Sequence, residues 1–333
     1  MLKLLIFLAF FYFAECGLAI LLCKEPSSWG RKILNQIYQE NEIDICFVGG
    51  SQVLQGIDPE IASVQLGGTA VNITSSQQPP TATATLVREL VREHPEVSRI
   101  YVSLDYSLLM TTDINLESIY IVSDALKLSW NKIWYLLRAT PQEYYVNSFL
   151  PLRRGESYAT SLHDMKNNLE ALRRENRQGR ECVGGFADNV GMNEEAFEVL
   201  ASEVSAGDKI VSKADEDGQV VLPERTVRAL EDIVKVCNTN DIQLIFFATP
   251  LPQFMTDAIT DYDQYVQEVE RILSDAGISY YDFNTEMSEA VMSEIHKFDR
   301  NKAENFTDEY HLSGTGAKRF TELLLESLEV NQR

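Results

Sequence analysis

Cysteine is sparse in this chain, and none of the five falls in a Cys-x-x-Cys pair. That spacing is what a structural zinc site uses, so no metal centre is expected, nor a disulfide framework. Cys16 and Cys23 lie in an apolar N-terminal run and Cys46 in a strand-like segment, which leaves Cys182 and Cys237 as the pair open to bridging. Positive charge is also short: 29 Lys and Arg stand against 50 Asp and Glu, a formal charge of −21. A surface of that sign repels phosphate backbones, which argues against nucleic acid as a partner. Histidine occurs four times, and His94, His163 and His296 read as surface or capping residues. There is no internal repeat, no low-complexity linker and no sign of a cofactor site.

The fourth histidine is different. Asp308 precedes His311 by three residues, and Ser313-Gly314 follow as a helix start. An acid in that position can hold the imidazole in one tautomer while the other ring nitrogen faces a nucleophile. A nucleophile is available far upstream. The apolar run Ile43-Asp44-Ile45-Cys46-Phe47-Val48 ends at Gly49-Gly50-Ser51, which puts Ser51 on a strand-to-helix turn whose glycines would permit unusual backbone angles.

Gly49-Gly50-Ser51 after a first core strand and Asp308-x-x-His311 before a last helix resemble the SGNH (GDSL-like) hydrolase superfamily. Gly50-Ser51-Gln52 through Gly56-Ile57-Asp58-Pro59, then Leu66-Gly67-Gly68 and Ser76-Gln77-Gln78, resemble more narrowly its membrane-anchored group, relatives of the alginate O-acetylation and teichoic-acid D-alanylation proteins. The resemblance implies Ser51 as nucleophile, Asp308 and His311 as its partners, and Gly67 or Gly68 as an oxyanion donor. It also implies work beside a membrane-bound O-acyltransferase on a cell-surface polysaccharide or teichoic-acid-like polymer. Such a chain could be an O-acyltransferase, an esterase or a non-catalytic scaffold of the same shape.

One block of that family is missing. Where Gly-x-Asn-Asp is expected, the chain reads Val102-Ser103-Leu104-Asp105-Tyr106-Ser107. An oxyanion donor is commonly worth roughly 10²–10³ in rate, so the departure bears on activity. Asn72 is a candidate replacement donor, or a loop asparagine serving a turn. Asp105 would oppose developing negative charge unless it points away or is protonated; its other reading is a strand-end cap.

Residues 4–23 are almost wholly apolar apart from Glu15, about the 20 residues a bilayer crossing needs, and no small-residue cleavage pattern follows. An uncleaved N-terminal transmembrane helix over 1–24 is therefore expected, and a buried core helix is the alternative. Lys3 lies on one side and Lys24, Arg31 and Lys32 on the other, so the extracytoplasmic placement of the domain rests on the resemblance rather than on charge. Glu15 within the span suggests a membrane partner.

Strands are expected at Ile43–Val48, Ser63–Leu66, Arg99–Leu104, Ile242–Thr249 and Ile278–Phe283. Helical spacing marks Pro80–His94, Pro223–Thr239, Phe254–Ala276 and Gly314–Leu328. The alternation predicts an α/β fold, a doubly wound, mainly parallel, flavodoxin-like sheet over 25–107 and 223–333. Residues 108–222 are expected as an inserted helical region or lid, with a charged run at Arg173–Arg177 and a Gly184-Gly185-Phe186 turn that could reach over the site.

Overall fold

The computed structural model describes residues 2–22, 28–111, 114–154, 162–163, 165–167, 169–170, 183–212, 218–285 and 298–330. Cys23, Lys24, Arg173–Arg177, Cys182 and His296 lie outside the described residues. Cys237, the other half of the candidate bridge, is a buried free thiol.

Helices α1 (Leu2–Leu22) and α2 (Ser28–Gln39) lead into strand β1 (Ile45–Gly49), then α3 (Ser51–Gly56), α4 (Pro59–Leu66) and β2 (Ala70–Thr74). Helix α5 (Pro80–Glu93) returns to β3 (Arg99–Ser103). Helices α6 (Tyr106–Met110), α7 (Leu116–Ala125), α8 (Trp130–Ala139), α9 (Tyr145–Phe149), α10 (Glu194–Ala206) and α11 (Glu224–Thr239) precede β4 (Gln243–Ala248). The chain closes with α12 (Gln253–Ala258), α13 (Tyr262–Ser274), β5 (Tyr280–Asp282) and α14 (Gly314–Val330).

The five strands are all parallel in the order β2-β1-β3-β4-β5, with Ile45 against Ala70 on one side and Arg99 on the other. This is the flavodoxin-like order, and its winding reverses between β1 and β3, so a crevice opens at the carboxyl ends of those two strands. Strands buried on both faces need no polar alternation, which is why Ile45-Cys46-Phe47-Val48-Gly49 is buried throughout. One face packs on α5 and α11 through Leu86, Val87, Leu230 and Ile233; the other packs on α14 through Phe320 and Leu324.

Two expected elements differ. Ser63–Leu66 is the end of α4, not a strand. Its period-two apolar pattern is outweighed by a helix start: Asp58 caps the N–H groups of Glu60 and Ile61, and Pro59 occupies the first turn. The second strand lies later, at Ala70–Thr74. The helix expected over Phe254–Ala276 is two helices, because the chain breaks to bridge Ile259 with Ile210 and the Asp261 carboxylate takes the Ser212 N–H.

In the region expected as an insertion, α7 and α8 lend Ile119, Val122, Tyr135 and Leu136 to the main core. The Gly184-Gly185 turn lies against Pro59 and the Asn72 carbonyl, on the β2 side of the sheet. Among the described residues no helix is long and apolar enough to cross a membrane; the side chains of residues 2, 4, 5, 8 and 20 of α1 lie outside the description. Helix α1 packs against residues 151–153, where the Leu152 N–H donates to the Glu15 carboxylate at 2.7 Å. Glu15 thus has a hydrogen-bond partner within its own chain.

Candidate active site

Strand β1 delivers the chain to Gly49-Gly50, and Ser51 begins α3 immediately after. Neither glycine has a left-handed φ, so unusual backbone angles are not why they stand there. Space is the reason. A Cβ on Gly49 would lie 2.6 Å from Val53 Cγ2 and 3.0 Å from Ser103 Cβ, and one on Gly50 would lie 3.0 Å from Leu108 Cδ1. The turn therefore sits tightly between α3, β3 and α6.

At the other end of the chain, residues 305–313 fold into a compact loop before α14. Phe306 bridges Leu312, the Thr307 N–H donates to the His311 carbonyl at 2.9 Å, and the Ser313 N–H donates to the Asn305 carbonyl at 2.9 Å. Inside it, Asp308 Oδ1 accepts the N–H groups of Tyr310 and His311 at 2.8 and 2.9 Å. The carboxylate thus shapes the backbone and holds the ring together: His311 Nδ1 lies 2.9 and 2.8 Å from its two oxygens. With Nδ1–H directed at Asp308, Nε2 is the acceptor, and the Ser51 hydroxyl donates to it at 2.7 Å. Burial works to raise the Asp308 pKa, but the hydrogen bonds from His311 and Tyr310 outweigh it and hold the carboxyl below its usual range.

The residue after Ser51 is anchored as well. Gln52 is buried and its Oε1 accepts the Thr249 hydroxyl at 2.7 Å, which ties α3 to the end of β4. Thr249 ends a strand expected from the sequence, but its pairing with Gln52, 197 positions away, has no local signal.

The expected oxyanion donors are not where the sequence suggests. Gly67 ends α4 with a left-handed φ of 68°, and the neighbouring Thr69 N–H donates to Asp44 at 2.8 Å. Asp44 precedes β1 while Ser51 follows it, so Gly67 and Gly68 lie at the opposite end of a five-residue strand, a span of about 16 Å. Asn72 is fully buried within β2 and donates its amide to the Ile57 carbonyl at 2.9 Å. It supports the α3–α4 connection and is not a loop residue. The loop that does follow β2 holds Gln77 in a left-handed conformation, φ 47°. Beside it, the Gln78 backbone nitrogen is 3.8 Å from where a Gly50 Cβ would be. The Gln78 backbone and the Ser51 backbone at the first position of α3 thus stand at one turn, a neighbourhood that Gly67 and Gly68 do not share. With the second strand at Ala70–Thr74 rather than 63–66, the loop that reaches the turn is the one carrying Ser76-Gln77-Gln78.

Asp105 does reach the site. It stands at the carboxyl end of β3, with Oδ2 3.8 Å from a Gly50 Cβ position and Oδ1 accepting the Ser107 hydroxyl at 3.0 Å. Burial pushes its pKa up, partly countered by Ser107 and by the charge of His311. Of the other histidines, His94 is buried rather than at the surface, its ring nitrogens within 2.8 Å of Glu96 and the Ile37 carbonyl.

The fold and site define a parallel α/β protein whose strand-end crevice joins a serine hydroxyl, an imidazole and a carboxylate in one hydrogen-bonded line. No protein-family model and no curated protein matches the chain. Among the solved structures similar to it in chain course are two. A proposed acylhydrolase from Bacteroides fragilis is 8% identical, with 93% of this chain and 100% of that one covered and a TM-score of 0.41. A proposed platelet activating factor from Streptococcus pneumonia is 12% identical, with 98% and 99% covered and a TM-score of 0.36. Likenesses of this size carry no functional argument.

Proposed function

We propose that the chain is a serine-dependent acyl-ester hydrolase or O-acyltransferase of the SGNH type. The observation that carries this is the continuous link from Ser51 to His311 at 2.7 Å and from His311 to Asp308 at 2.8 Å. Ser51 Oγ bonds to the acyl carbon while its proton passes to His311 Nε2. Collapse of the tetrahedral intermediate breaks the bond to the alcohol oxygen, which leaves with that proton. Water or a second hydroxyl then repeats the sequence on the acyl-serine. Asp308 stabilises the imidazolium that forms between these transfers. The N–H groups of Ser51 and Gln78 supply electrostatic support to the oxyanion.

The reading extends to location and partners. Phe7, Phe10 and Phe13 of α1 are more than half exposed, a cost in water that contact with lipid removes. Membrane association through residues 1–24 fits that face, while an extracytoplasmic catalytic domain and a membrane-bound O-acyltransferase as partner are what the resemblance of the Gly50–Gln78 stretch implies. The acceptor would be a surface glycan or a teichoic-acid-like polymer, and tethering both proteins to one membrane raises their effective concentration.

A second reading, a non-catalytic scaffold of the same fold, is favoured by one feature: a carboxyl, Asp105, stands beside the nucleophile turn where an amide donor would serve an oxyanion. A fluorophosphonate probe separates the two. Covalent labelling of Ser51 supports the enzyme; an intact fold with no label supports the scaffold.

A further inference from the structure

Ser51 and His311 are 260 positions apart, and the two elements that carry them are both bonded to a third segment. Residues 186–192 run from the Gly184-Gly185 turn past the end of α3 to the loop that holds Asp308 and His311. On α3, the Ala187 N–H donates to the Leu54 carbonyl at 2.9 Å, and the Asn189 amide donates to Gln55 Oε1 at 2.9 Å. On the histidine loop, the Met192 N–H donates to the Phe306 carbonyl at 2.8 Å, and the Gly314 N–H donates to the Asn189 carbonyl at 2.7 Å. Asn189 therefore touches both halves of the site: its side chain holds the helix of Ser51, and its carbonyl holds the first residue of α14, just past His311. Gln55 Oε1 is shared, since the Thr307 hydroxyl also approaches it, at 3.4 Å.

The fit is close. A Cβ on Gly191 would lie 2.3 Å from the Glu304 carbonyl oxygen and 2.8 Å from its carbon, backbone atoms that cannot rotate aside. Glycine at 191 thus lets the segment lie against the stem of the loop. Its two ends, Phe186 and Met192, pack on the core cluster that holds Val53, Phe306 and Leu312. None of these bonds is made to Ser51, Asp308 or His311, so the segment acts on them only through the elements it joins.

We propose that residues 186–192 are a strap that keeps α3 and the histidine loop in register, with Asn189 and Gln55 as positioning residues for the Ser51–His311 proton transfer. The proposal rests on the acyl-transfer reading of Ser51. That transfer needs Oγ and Nε2 at hydrogen-bond distance, here 2.7 Å, and a misplacement of about 1 Å costs on the order of 10²-fold in rate. Asn189 is exposed, and substitutions at exposed positions usually change stability little, so its loss should be read in the rate and not in the fold.

The test compares the full chain with Asn189→Ala, Gln55→Leu, Gln55→Glu and Gly191→Ala, using p-nitrophenyl acetate turnover and the rate of fluorophosphonate labelling. Asn189→Ala and Gln55→Leu should each lower kcat by about tenfold or more with KM little changed, and should slow labelling of Ser51 in proportion. Gln55→Glu keeps the acceptor and should restore most of the rate that Gln55→Leu loses. Adding Asn189→Ala to Gln55→Leu should cost nothing further, because both changes break the same bond. Gly191→Ala, which forces the strap off the loop, should be at least as slow as Asn189→Ala. Thermal unfolding shows which variants are folded at the assay temperature, and the exposed Asn189→Ala carries the test if Gly191→Ala is not. Wild-type kcat and labelling in Asn189→Ala and Gln55→Leu, or a Gln55→Glu variant as slow as Gln55→Leu, overturns the strap while leaving Ser51 as nucleophile. Losses confined to variants unfolded at the assay temperature overturn it as well. A wild-type chain that neither turns over the ester nor takes the label overturns both the strap and the acyl-transfer reading.

Discussion

Thr249 donates its hydroxyl to the Oε1 of Gln52 at 2.7 Å, and both side chains are buried. This one bond links the end of β4 to the residue that follows Ser51. Thr249→Val keeps the shape but leaves the Gln52 oxygen without its donor, a loss of about 1–3 kcal/mol. The expected outcome is a lower Tm and a lower kcat on p-nitrophenyl acetate with KM little changed, and recovery of both in Thr249→Ser. A serine variant as impaired as the valine one would mean that the hydroxyl is not what positions Gln52.

Ser51→Ala should abolish ester turnover and fluorophosphonate labelling while unfolding within a few degrees of wild type. A small, half-buried side chain at the start of a helix contributes little to the core. Wild-type rates in the purified variant would remove Ser51 from the nucleophile role.

Asp308→Asn tests whether the carboxylate acts through the ring or only through the backbone. Both the Tyr310 and His311 N–H groups can still find the amide oxygen, so the loop should persist. The tautomer of His311 should not. In serine-protease triads the same change lowers kcat by up to about 10⁴, and a comparable loss is expected here. A loss below tenfold, measured at saturating ester, would reduce the site to a Ser51–His311 dyad with Asp308 as a turn-forming residue.

Asp105 should carry a stability cost that depends on pH. Burial raises its folded pKa above the unfolded value of about 3.9, so the folded state binds more protons. The folding advantage this gives is present at low pH and is lost as pH rises through the folded pKa. Asp105→Asn removes the ionisation. The variant should therefore melt above wild type at pH 7, and the gap should close below about pH 4. Equal gaps at both pH values, followed by thermal unfolding in matched ionic strength, would show that ionisation of this carboxyl costs the fold nothing.

Some of this was written locally. Asp308 and His311 are three residues apart, so one short loop suffices to join them, and their pairing is legible without any knowledge of the fold. The apolar runs of β1, β3 and β4 are equally local, because strands covered by helices on both faces must be continuously apolar. The parallel sheet and the strand-end placement of Ser51 follow from their alternation with helices. What surrounds Ser51 is decided by contacts between distant residues. Ser63–Leu66 has a pattern that fits a strand or a helix end, and its being helical puts the second strand at Ala70–Thr74, so the loop that follows Thr74, not Gly67-Gly68, lies beside the Gly50 turn. Asn72 reads as a turn residue until the Ile57 carbonyl is brought to its amide. Gly49 and Gly50 read as glycines of a turn with unusual backbone angles until Val53, Ser103 and Leu108 close around them. Hydrophobic period and short-range spacing are properties of a segment, whereas free space and hydrogen-bond partners exist only once the segments are packed, and it is space and partners that shape this site.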